Sequence, residues 1–213
     1  MLVPLAALIG FVKTNGIETI GSYNKIDRWY WTAVFSNRYD QSVDTVSSSD
    51  FTSMKAWLLD DDKVPDFVQK FDPDSVDLDT IDKQSSAIYR GVMNLVVLSG
   101  ALDFRTGQPP QFDKEKIQDD HIFPKSIYKE HSIANRTLIS TNVQKSNEKP
   151  SDYFEKRVQE HGEEELKRIL RSHIIPEEAL DYLLEDKLQE FMEVRKKAII
   201  ANLREKLGLG RKV

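Results

Sequence analysis

Asp120 and His121 stand side by side, Asn135 follows, and Asn142 comes a short segment later. Carboxylate and carboxamide oxygens suit a hard cation such as Mg²⁺ or Mn²⁺. An imidazole takes a proton from water near neutral pH. Lys125, Arg136 and Lys145 lie in the same stretch and bring positive charge for a phosphate. A metal, a base and nearby cations are the equipment for phosphodiester hydrolysis, in which water must be held in line and developing negative charge offset.

These residues need a scaffold that brings them together. Residues 117–122 read as a strand leading into Pro124, and residues 136–140 as a second strand. Adjacent residues on a regular strand point to opposite faces. At the end of the first strand, however, a bend lets Asp120 face a metal while His121 faces water. Thr141–Ser146 reads as the start of a short helix, from which Asn142 reaches the same metal and Lys145, nearly one turn on, reaches a phosphate. Asn135, just before the second strand, is placed to hydrogen-bond backbone across the loop and fix the histidine.

The rest of the chain reads as helix: residues 2–13, 23–37, 50–60 and 84–99, then 150–161, 163–173 and a long charged helix over 177–207. Residues 60–82 are acidic and aperiodic and read mostly as loop; residues 101–114, with Gly107 and Pro109-Pro110, read as a turn-rich connector. The expected fold is mainly α with a small inserted ββα-metal motif. Residues 1–110 form a helical lead-in, residues 111–162 the core that carries the chemistry, and residues 163–213 C-terminal helices packed on the lead-in. Trp29-Tyr30-Trp31 is read as core rather than a stacking platform, the apolar opening as a buried helix, and Asp119 as a structural carboxylate. His131 and His161 are read as surface residues, and His173 as a helix C-cap. Arg195-Lys196-Lys197 and Arg204 are read as a solvated face or a contact with a neighbouring domain.

The 213 residues are 39% hydrophobic and 31% charged, with a formal net charge of −5. The charge argues against strong non-specific DNA affinity, although binding follows the local field rather than the average. Cysteine is absent, so disulfides, thiolate nucleophiles and cysteine-ligated zinc are excluded. A cytoplasmic location is expected, and the apolar N-terminal segment is too short to span a bilayer.

Asp120-His121-Ile122-Phe123-Pro124-Lys125-Ser126, Asn135-x-x-Leu138, Asn142-x-x-Lys145-Ser146 and Pro150-Ser151-x-Tyr153-Phe154 together resemble an HNH (His-Me finger) nuclease motif. More closely, they resemble the C-terminal domain of the GmrSD-type restriction family of modification-dependent or phage-defence nucleases. Arg28-Trp29-Tyr30-Trp31, Arg38-Tyr39 and Ala101-Leu102-Asp103 are similar to that family's helical lead-in. The resemblance implies DNA cleavage or nicking with Mg²⁺ or Mn²⁺: His121 as general base, Asp120 and Asn142 on the metal, Asn135 supporting the loop. It also implies an N-terminal NTPase or modification-sensing domain, yet the Asp-Gly-Gln-Gln-Arg-type motif of that domain is missing. The chain is therefore expected to be a C-terminal piece of a larger protein. The alternative expectation is a catalytically degenerate fold that only binds DNA or a partner.

Overall fold

The computed structural model describes residues 1–110, 117–140 and 148–210. Asn142 and Lys145, and the helix expected from Thr141, lie outside them. The described part is mostly helical with one two-stranded sheet. The chain divides into two compact units, Met1–Val76 with Leu203–Val213, and Asp77–Asn202.

The first unit contains α1 (Leu2–Thr14), α2 (Ile20–Phe35), α3 (Val43–Leu59) and the short α4 (Asp66–Gln69). Thr19 caps α2, its hydroxyl accepting the Ser22 N–H at 3.1 Å. The apolar residues at helical spacing converge in a core of Leu8, Val12, Ile26, Trp29, Met54 and Trp57. Only one face of α1 is buried: Leu2 is 76% and Val3 80% exposed, so the opening segment is not the enclosed helix its composition predicts. Asp50, fully buried, anchors this unit. It accepts from the Trp29 indole at 3.0 Å, the Tyr39 hydroxyl at 2.8 Å and the Arg38 guanidinium at 2.6–3.0 Å.

The second unit contains α5 (Ala87–Leu98), β1 (Ile117–His121), α6 (Lys125–Tyr128), β2 (Arg136–Ser140), α7 (Pro150–His161), α8 (Glu163–Ser172), α9 (Ala179–Leu184) and α10 (Leu188–Lys206), the last continuing past Asn202. The strands pair antiparallel, with Asp119 opposite Leu138, Asp120 opposite Thr137 and His121 opposite Arg136. A pair of five-residue strands is not stable alone, so its position depends on what packs around it. α5 packs against β2. Phe123, just past β1, is fully buried against Phe191 of α10, with ring centroids 5.1 Å apart, a burial worth about 2–3 kcal/mol.

The helix expected over 177–207 is broken. Asp186 takes a left-handed φ of 56° between α9 and α10. Its carboxylate accepts the Ser151 N–H and hydroxyl, both at 3.0 Å, capping the first turn of α7 behind Pro150. Proline there loses no helical hydrogen bond, and Gly162, at φ 80°, ends the helix.

Candidate active site

The two adjacent carboxylates of β1 have different surroundings. Asp119 accepts from the Gln84 amide at 2.8 Å, the Tyr89 hydroxyl and the Arg136 guanidinium at 2.6 Å. Burial alone would raise its carboxyl; those hydrogen bonds outweigh burial and hold it below the usual carboxylate range. The carboxylate of half-buried Asp120 makes no hydrogen bond or ion pair with any described residue. It borders a small pocket with His121, Thr137, Tyr153, Phe154 and Phe104. Asp119 is thus committed to structure, while the Asp120 oxygens remain available.

His121 ends β1 and is 8% exposed. Its ring meets that of His131 edge-on, centroids 5.9 Å apart, and His131 itself is exposed. Burial first, then the charges of Arg136 and Lys125, push the His121 imidazole down to about 4. The ring is therefore neutral at pH 7, the form that accepts a proton.

Asn135 is fully buried and so touches no substrate. Its Oδ1 accepts the Phe123 N–H at 2.8 Å, and its Nδ2 donates to the Phe123 carbonyl at 2.9 Å and the Glu130 carbonyl at 3.2 Å. Its own carbonyl accepts the Ile122 N–H at 2.8 Å. These four bonds fix the backbone immediately after His121; Asn135 positions rather than reacts.

Of the cations expected on phosphate, Lys125 is exposed at the start of α6. Arg136 instead pairs with Asp119, and its guanidinium carbon lies 5.7 Å from the Tyr89 ring centre. A phosphate would have to compete with that carboxylate.

Two partners of the strands, His173 and Arg195, were not read from the sequence. Thr137 Oγ1 lies 2.7 Å from Nδ1 of His173, and Nε2 of His173 lies 2.6 Å from the Leu102 carbonyl. His173 follows α8 as its C-cap residue, but its side chain turns inward, fully buried and stacked on Phe104 at 4.2 Å. Burial, and to a smaller extent Arg195, press it down to about 4 despite its bond to Leu102; it sits at the C-cap position expected, with an uncharged ring. Arg195, read as part of a solvated face, is 0% exposed. His161, read as a surface residue, is part-buried, with Nε2 3.1 Å from the Phe104 carbonyl. Pairing places Thr137 opposite Asp120, on the same face of the sheet; no local signal marks a histidine 36 residues away.

Among the described residues, no three His, Asp or Glu side chains gather as a ready metal site. The Asp120 carboxylate could offer oxygen to a hard cation, since no described residue engages it.

Residues 106–151 match the HNH endonuclease family. That match supports an HNH nuclease domain within the chain, of a class that generally uses divalent metal ions. The chain is 26% identical over 220 aligned positions to uncharacterized protein MJ0686 of Methanocaldococcus jannaschii, covering 87% of this chain and 38% of that protein. No solved structure matches. Among the described residues, no helix is long and apolar enough to cross a membrane.

Proposed function

We propose that the chain is a metal-dependent HNH DNA endonuclease that nicks one strand per encounter. The observation that carries this reading is the HNH match over residues 106–151, within which Asp120 and His121 are consecutive on β1 and no described residue engages the Asp120 carboxylate. His121 takes a proton from water as the water oxygen bonds to phosphorus and the P–O3′ bond breaks. Asp120, with Asn142 from outside the described residues, would hold Mg²⁺ or Mn²⁺; when bound, such a cation stabilises the developing negative charge. Lys125 contacts a flanking phosphate, while Arg136 and Lys145 are secondary candidates. One base per chain gives one cut, so a double-strand break takes two molecules or two events.

We further propose membership of the GmrSD-type family, as the effector of a modification-dependent or anti-phage system. The matched stretch is 38% of the archaeal relative, which fits a nuclease module working beside other domains. The ββα-metal topology follows from the same reading, with β1 and β2 as the finger.

Plasmid relaxation with Mg²⁺ or Mn²⁺ tests the proposal. Wild type is expected to convert supercoiled DNA to the open circle, and His121→Ala and Asn142→Ala to lose that conversion by at least about a hundredfold. Equal conversion by wild type and His121→Ala overturns the assignment of the base. The low exposure of His121 favours a second reading, a DNA- or partner-binding module without catalysis. That reading expects DNA retention unaffected by EDTA and no cutting.

A further inference from the structure

Arg195 is a fully buried guanidinium on α10. Its Nη2 donates to the Arg136 carbonyl at 3.2 Å, while Nε and Nη1 have no partner among the described residues. A buried cation without a carboxylate is a costly thing to keep, and an apolar side chain of similar volume would fill the space more cheaply. The next residue of β2 is held in a similar way. The Leu102 carbonyl can only accept, so His173 Nε2 carries the hydrogen; Nδ1 is then the acceptor, and the Thr137 hydroxyl donates to it. Two consecutive β2 residues, at the backbone of one and the side chain of the other, are thus gripped by buried polar groups from the C-terminal helices.

The strands they grip need such help. Five residues a side cannot fix their own pairing, and a slip of one residue reverses every side chain. In β1 such a slip would exchange the faces of Asp120 and His121 and separate Asp119 from Arg136. We infer that Arg195 and His173 form a buried clamp that sets the register of β2 against β1, and thereby positions Asp120 and His121. Their role for the reaction rests on the nuclease reading; their role in register does not.

The full chain tests this with two readouts. In Arg195→Met, amide exchange in peptides spanning residues 117–123 and 134–139 is expected to quicken about tenfold or more, while exchange in α7 and α8 and the thermal midpoint do not worsen. Nicking is expected to fall about tenfold in kcat with KM within about twofold. Arg195→Lys, which still offers a donor to the Arg136 carbonyl, recovers part of both. Thr137→Val, which removes only the hydroxyl donor, gives the same local loosening and decides the matter if Arg195→Met fails to fold. Unchanged strand exchange in the variants overturns the clamp, as does loosening spread through the whole unit with a lowered midpoint. Wild type that never nicks overturns the nuclease reading instead, and the exchange data still decide the clamp.

Discussion

The Asn135 carboxamide closes a two-bond ring on the Phe123 backbone, accepting at 2.8 Å and donating at 2.9 Å. An aspartate is isosteric but cannot donate. Asn135→Asp leaves the Phe123 and Glu130 carbonyls without their donor and buries a charge. The expected loss is about 2–4 kcal/mol, measured by urea denaturation, with nicking falling in parallel. A variant as stable and active as wild type contradicts this role.

Asp119 and Asp120 should separate stability from activity. Asp119→Ala strands the Arg136 guanidinium and the Tyr89 hydroxyl and should cost about 1–3 kcal/mol. Asp120→Ala takes no partner from any described residue and should leave the midpoint within about 0.5 kcal/mol of wild type, while abolishing metal-dependent nicking. Calorimetry beside plasmid relaxation gives both readings, and a reversed pattern would reassign the metal ligand.

The Asp50 cluster makes a prediction away from the site. Removing its carboxylate leaves the Arg38 guanidinium, the Trp29 indole and the Tyr39 hydroxyl without their shared acceptor. Burial, then the bond to Asp50, holds the Tyr39 hydroxyl well above its ordinary range, so it remains a donor. Asp50→Ala is expected to destabilise the first unit by about 3–5 kcal/mol, read from the fluorescence of the buried tryptophans during unfolding.

Stability should also depend on pH through His173. Its folded value, about 4, lies below the unfolded value near 6.5, because burial opposes the charge, with Arg195 adding to it. Between those values the unfolded chain binds the extra proton. The contribution is therefore complete above about pH 6.5 and is lost as pH falls toward 4, on the order of 3 kcal/mol in all. His173→Gln should flatten that slope in denaturation curves at pH 4.5–7, and an unchanged slope would assign it to other groups.

Local pattern made much of this legible. The apolar periodicity of residues 84–99 gave α5, and the short run over residues 136–140 reads as a strand at the observed bounds of β2. The helix expected over 50–60 begins at Val43 instead, because the Ser- and Thr-rich turns before it carry a weak propensity signal. The break at Asp186 had no signal, since a tertiary partner, Ser151, calls for it. Asp120, His121 and Asn135 were marked by spacing within a short stretch. Arg195 looked solvated because its neighbours are charged; only the packed fold separates it from Lys196, which pairs with Asp79 at 2.9 Å.

The kink at Asp186 has a consequence for how this chain can vary. One residue with left-handed backbone both ends a helix and seals the start of another 35 positions earlier. Lengthening or shortening that corner by a single residue would turn the carboxylate away from Ser151 and uncover the opening turn of α7. Insertions that most surface bends absorb should therefore be rejected at this one.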